Sequence, residues 1–276
     1  MAIRVLTPRR PARIAPVRVP VRVAALVRDW ALVGSVIALY FLARGAAPER
    51  IDAAVALSRQ LVAIEQWLHI FVEPAIQDFS IRHHAVQEVA NFVYAYLHFP
   101  VLGVVGIWLW LRGRARFLFM RNVMFVSMVI GVAFYYALPA APPRLLAAYG
   151  YDLGFVDTVF GGNTAVSYAQ PALVRNDFAA IPSFHFGWIA LASTVIWVNT
   201  SSRTLRGMAV ALTVVMSWAI VASANHFFVD MALGGLVVAV SWYAASRLAR
   251  RAAPAAVHAP VPLGRSVPRY SAQRAA

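Results

Sequence analysis

The sequence contains no cysteine and no lysine, and only 13% of its 276 residues are charged. Without cysteine the chain has no disulfide, no thiolate metal site and no thiol nucleophile. Without lysine all 25 basic residues are arginine, opposed by 11 acids, for a formal net charge of +14. The shortage of charge is the more telling lack. Hydrophobic residues fill 61% of positions, leaving too little polar surface to cover a water-soluble domain. The chain therefore belongs in a bilayer. Its basic excess sits at the termini and in short loops, where arginine reports membrane orientation rather than a nucleic-acid partner.

Residues 1–28 hold seven arginines and four prolines ahead of the first apolar run. That composition reads as a disordered cytoplasmic tail over 1–23 rather than a cleaved signal peptide, whose charged region would be shorter and would precede a cleavage site. Residues 251–276 are again rich in Ala, Pro and Arg and are expected to be a second disordered cytoplasmic tail. Between them, 24–250 reads as one membrane domain. A span needs about 20 apolar residues to cross about 30 Å of hydrocarbon. Six stretches qualify, at 24–43, 89–111, 117–138, 185–199, 207–224 and 227–247, the fourth only if its helix begins near Ser183. The expected fold is an all-α membrane protein with six transmembrane helices. Residues 48–80, with Ile51, Val55, Leu61, Ile64, Leu68 and Phe71 among charged neighbours, predict one or two amphipathic surface helices.

Six spans place both termini on one side and assign a side to every loop. The links carrying Arg112, Arg114 and Arg116, and Arg203 and Arg206, fall on the side of the Arg-rich tails, which the positive-inside rule makes cytoplasmic. The opposite loops are mixed in sign: 139–184 holds two arginines against three aspartates. This is the pattern of a plasma-membrane protein with both termini inside.

Three polar stretches then meet at the outer face: Ala141-Pro142-Pro143-Arg144-Leu145-Leu146, Ile181-Pro182-Ser183-Phe184-His185-Phe186-Gly187-Trp188 and Asn225-His226-Phe227-Phe228-Val229-Asp230. His226 and Asp230, at i and i+4, are expected on one helical face, where Asp230 accepts from one imidazole nitrogen and leaves the other as a nucleophile. Pro182 and Ser183 signal a helix start, with Ser183 as N-cap. The first amides of that helix, around Phe184, form a phosphate cradle, and His185 in its first turn serves as general acid. Arg144 offers a planar fork to two phosphate oxygens. Taken singly, each has a plainer reading: a buried His/Asp pair, an ordinary cap, a headgroup anchor.

On these residues the sequence resembles the type 2 phosphatidic acid phosphatase superfamily, in the branch related to the fungal inositol phosphorylceramide synthases. Pro-Ser-x-His at 182–185 and His-x-x-x-Asp at 226–230 match the second and third signatures, and Pro-Pro-Arg-Leu-Leu at 142–146 looks like this branch's first. The resemblance covers about residues 90–245. It implies a six-helix fold and a phosphohistidine mechanism without metal or other cofactor. His226 would be the nucleophile, Asp230 its orienter, His185 the acid/base, and Arg144 and Ser183 phosphate ligands. The family's first signature carries a lysine that this chain lacks, and Arg175 or the amides near Phe184 are the candidates to replace it.

Weaker signals surround this set. His98, with Asn91 and Tyr94 toward the outer side of the same span, suggests an acceptor or headgroup pocket, and Asp177 a contact to the acceptor. Glu65 and His69, again four apart, read as a solvated helix pair or part of a lid. Residues 145–180, with Gly161 and Gly162, suit an outer-face cover over the site. The leading function is transfer of a phosphoryl-containing headgroup from a lipid phosphate to a hydroxyl acceptor. A lipid phosphate or polyprenyl (pyro)phosphate phosphatase, with water as acceptor, is the alternative. A lipid transporter or scramblase and a zinc enzyme are rival classes, and neither acceptor nor oligomeric state is legible.

Overall fold

The structure is a computed structural model, and it describes residues 23–161 and 170–252. Gly162 and the two expected tails lie outside the described residues, except Val23, which begins α1, and Arg251 and Ala252, which end α9. Nine α-helices account for most of what is described: α1 Val23–Gly45, α2 Ile51–Trp67, α3 Glu73–Arg82, α4 His84–Phe92, α5 His98–Arg112, α6 Arg114–Ala137, α7 Phe184–Asn199, α8 Arg203–Ala222 and α9 Phe228–Ala252. No strand forms among the described residues beyond one isolated bridge between Ala140 and Ala179.

Five helical segments are long and apolar enough to cross a membrane: α1, the continuous run from His84 to Arg112, α6, α8 and α9. Helix α7 is the exception. It starts at Phe184 and has 16 residues, a rise of about 24 Å against about 30 Å of hydrocarbon. Its shortness goes with its position, for α7 packs against α5, α8 and α9 and buries Trp188, Ile189, Leu191, Ala192 and Val195. The outward faces of its neighbours remain apolar, with Val104, Val129, Leu236 and Tyr243 exposed. A face of that kind is stable against lipid tails and not against water.

The 48–80 region forms α2 and α3, joined by a tight reversal. Helix α2 ends at Trp67, and His69 takes a left-handed φ of 56°. Glu65 and His69 therefore do not share a helical face: Glu65 is fully buried, whereas His69 is exposed. The expected solvated pair is not formed, because the helix stops before its second member.

The second span is broken by a π-helical turn, Val93–Leu97, between α4 and α5. Pro100, in the first turn of α5, supplies the physical cause, since it has no N–H to continue the ladder and its ring crowds the carbonyl four residues back. The turn presents Tyr94 and His98 toward α7, where they stack on or against His185 at ring-centroid distances of 4.4 and 4.8 Å.

Close approach of α7 and α9 depends on glycine. A Cβ on Gly234 would overlap the Ser183 carbonyl oxygen, and one on Gly187 would lie 2.8 Å from the Gly234 carbonyl oxygen. Without side chains at these points the two backbones meet, which brings the start of α7 to the start of α9.

Candidate active site

Only Ser223 to Phe227 separate α8 from α9. Ala224 adopts a left-handed φ of 51°, and the N–H groups of Asn225 and His226 both donate to the Ile220 carbonyl, at 3.0 and 3.3 Å. His226 thus sits in the turn ahead of α9 rather than on the helix with Asp230. The expected shared helical face is replaced by a different arrangement. Asp230, in the first turn of α9, reaches back to accept the Phe227 N–H at 2.9 Å, the reciprocal half of a capping box. The same oxygen, Oδ2, lies 3.4 Å from His226 Nδ1. His226 is 6% exposed and Asp230 fully buried, so the pair faces a dry interior on one side and a cavity on the other.

Ser183 is the N-cap of α7, its side chain accepting from the Phe186 N–H. Its own N–H donates to the Asp230 carbonyl at 3.0 Å, which pins the cap of α7 to α9. The cap turns the Ser183 hydroxyl away: Ser183 is fully buried and does not line the cavity, whereas Pro182, Phe184 and His185 do. The first-turn amides of Phe184 and His185 have no intrahelical carbonyl to reach. The Phe184 ring stacks on Trp188 at 4.8 Å, so any role of Phe184 toward phosphate belongs to its backbone. The His185 ring lies 6.0 Å from that of His226.

Arg144 is the middle residue of a 3-10 turn opened by Pro143. Its N–H donates to the Ala224 carbonyl at 3.0 Å and its Nε to Asn225 Oδ1 at 3.0 Å, so it is locked to the His226 turn. Nη1 reaches Asp157 at 2.8 Å and Nη2 lies 3.7 Å from Asp177, while Phe160 packs its ring 4.2 Å from the guanidinium carbon. Asp157 is itself held by the amides of Val159 and Phe160, and Gln77 clamps the same loop through the N–H and C=O of Val156. Arg144 is thereby preorganised, with its donors shared between two carboxylates and the cavity.

The cavity has a volume of about 90 Å³ and is lined by Arg144, His185, His226, Asn225, Asp177, Tyr94 and His98 among others. His98 is 4% exposed, and neither of its ring nitrogens has a hydrogen-bond partner among the described residues.

Two expected pocket residues are elsewhere. Asn91 donates to the Thr158 carbonyl at 2.8 Å and accepts from Gln87 at 2.9 Å, tying α4 to the loop instead of lining the cavity. Arg175 is half exposed and closes on Asp177, with Nε 2.9 Å from Oδ2. That carboxylate raises the pKa of the Arg175 guanidinium further. Besides Arg144, Arg44 reaches the cavity wall from the end of α1, held by the Asn176 carbonyl at 3.0 Å. Tyr40 and Tyr135, joined hydroxyl to hydroxyl at 2.9 Å, line the same side. The sequence offered one clue to Arg44, a basic residue at the end of a span where orientation predicted none.

A sequence profile of the PAP2 superfamily matches residues 59–245, which carry all three polar stretches. The chain belongs to the PAP2 superfamily. Within it, the chain is 29% identical over 181 residues to a protein of Bacteroides thetaiotaomicron named phosphoinositol dihydroceramide synthase, covering 59% of this chain and 57% of that relative. This PAP2 chain thus spans little more than half the length of the curated relative it matches, and the likeness falls on the branch related to inositol phosphorylceramide synthase. No solved structure matches it. Five helical segments long and apolar enough to cross a membrane make this PAP2 chain a multi-pass membrane protein.

Proposed function

We propose that the protein transfers a phosphoryl-containing headgroup from a lipid to a hydroxyl acceptor through a covalent intermediate on His226, without a metal. The observation that carries this reading is the convergence of His226, His185 and Arg144 on one small cavity, with Asp230 behind His226 at 3.4 Å. Asp230 holds the Nδ1 proton and leaves Nε2 to attack phosphorus. As the N–P bond forms, the bond from phosphorus to the lipid oxygen breaks, and His185 gives that oxygen its proton. Arg144 and the amides of Phe184 and His185 hold the phosphoryl oxygens, and Ser183 keeps those amides in place through its cap. In the second half His185 takes the proton of the incoming hydroxyl, whose oxygen displaces His226.

A substrate whose phosphate carries a headgroup is favoured over a bare lipid phosphate by the polar wall beyond the phosphate position, where Arg44, Tyr40, Tyr135, His98 and Asp177 offer hydrogen bonds to a polyhydroxyl group such as inositol. The name of the Bacteroides relative points the same way. Hydrolysis by the same residues, with water in place of the alcohol, is the alternative. In this reading α7 completes a set of six spans, both termini are cytoplasmic, and the cavity opens at the outer face of the plasma membrane.

A product assay decides between the acceptors. Supplied with headgroup-labelled phosphatidylinositol and a ceramide in mixed micelles, the protein is expected to form a labelled new lipid. Release of labelled inositol phosphate or free phosphate alone would assign hydrolysis. His226→Ala abolishes either product, and retained turnover in that variant would overturn the mechanism.

A further inference from the structure

Beneath the His226 turn lie two carboxyl groups that the chemistry above does not use. Glu65, near the end of α2, and Glu73, the first residue of α3, are both fully buried, and neither lines the cavity. The reversal at His69 brings them together at the start of α9. Glu65 Oε1 accepts the Val229 N–H at 2.7 Å and Glu73 Oε1 accepts the Phe228 N–H at 3.1 Å. With Asp230 on the Phe227 N–H, three successive amides take three different carboxyl groups. These are the amides that a helix start leaves without partners, at the positive end of its dipole.

The remaining oxygens, Glu65 Oε2 and Glu73 Oε2, are sealed from solvent, with no other donor reaching them among the described residues. An orphaned buried carboxylate oxygen is costly, and one proton shared between the two groups removes the cost. Burial first, then the hydrogen bond with Glu73 and the negative charges of Glu73 and Asp230, push the Glu65 carboxyl up to about 9, against the opposing pull of the Val229 amide. Those two carboxylates, from α3 and α9, are the charged groups that bear on it. Ala224, Phe155 and Phe227, which pack over the buried face of α2, are apolar.

We propose that Glu65 and Glu73 act as a singly protonated carboxyl pair that positions the first turn of α9, and through it His226 and Asp230, for phosphoryl transfer. The inference rests on His226 being the nucleophile. One negative charge complements the helix start; none leaves its amides with weaker acceptors, and two repel each other and Asp230. Both glutamates are positioning residues, acting through the backbone of Phe228 and Val229.

The count of charges makes this testable. Turnover of the full-length protein is followed from about pH 6 to pH 10.5 with phosphatidylinositol and ceramide, alongside the infrared C=O stretch of protonated carboxyl groups. In the native protein an alkaline loss of turnover and a bleach of one carboxyl band are expected together near pH 9. Glu65→Gln and Glu73→Gln each leave one carboxyl with no partner carboxyl to repel it, so each retains turnover within about threefold and shifts the alkaline loss upward by a pH unit or more. The double variant, with no charge, loses at least about tenfold. An alkaline loss that is absent from the native protein or unmoved in both single variants overturns the pair, as does the absence of the band. Retained turnover in His226→Ala would instead overturn the nucleophile, while the band would still report the shared proton.

Discussion

The backbone N–H of Ser183 donates to the carbonyl oxygen of Asp230 at 3.0 Å. This bond joins the helix start that faces phosphate to the helix start that orients the imidazole. Since Gly234 lies against the Ser183 carbonyl, the two helix starts form one rigid unit, and His185 and His226 keep their separation through its backbone rather than through side-chain contacts.

Gly234→Ala tests that unit. The new methyl group has to push aside backbone at Ser183, an overpacking that costs about 1–3 kcal/mol. A lower melting temperature in detergent is expected, with turnover reduced by at least about tenfold. A variant with native activity and melting would show that α7 and α9 do not need this approach.

Asp230→Asn keeps the shape of the side chain but loses the charge that stabilises an imidazolium. By analogy with the orienting carboxylate of a serine protease triad, kcat is expected to fall by about 10²–10⁴. Substrate affinity should hardly move, because Asp230 does not line the cavity. Rapid-quench measurement of the phosphoenzyme locates the defect in its formation.

Arg144→Ala removes a clamp and also leaves Asp157 without its guanidinium partner at 2.8 Å. Losing one member of a buried charge pair costs about 2–5 kcal/mol, so kcat/KM should drop by at least about a hundredfold. Arg44→Gln, on the wall beyond the phosphate position, is expected to raise the KM for the headgroup donor by about tenfold with a smaller change in kcat. Equal loss of both parameters in Arg44→Gln would move that residue to the phosphate itself.

Stability should depend on pH through Glu65. Its carboxyl is pushed up to about 9 in the folded protein, against about 4.3 in an unfolded chain. Between those values the folded state keeps a proton that the unfolded state has lost, so stability falls as pH rises through the window and the loss is complete above about pH 9. Melting curves in detergent should show this decline for the native chain and a flatter one for Glu65→Gln.

The natural absence of cysteine makes the orientation directly testable. Leu173→Cys, on the segment over the cavity, should react with a membrane-impermeant maleimide on intact cells. Ser201→Cys, between α7 and α8, should react only after permeabilisation. The reverse pattern would invert the proposed topology.

The lengths of apolar runs were enough to place the five long apolar segments and the shorter α7 within about five residues of their observed limits. Pro182-Ser183 announced the start of α7, because span length and N-capping are local properties with a local chemical cause. Convergence of Arg144, His185 and His226 followed from span parity alone. The remaining features depended on which faces meet. His226 lies off its helix because Asp230 caps Phe227. Asn91 is spent on Thr158 and Arg175 on Asp177, while Arg44 reaches the cavity from a span more than a hundred residues away in sequence from Asn176. Glu65 looked like a solvated helix residue, since period and composition say nothing about where a chain reverses. Only the turn after Trp67 buries it beside Glu73 against the amides of α9, and contacts between residues so distant in sequence carry no local signature.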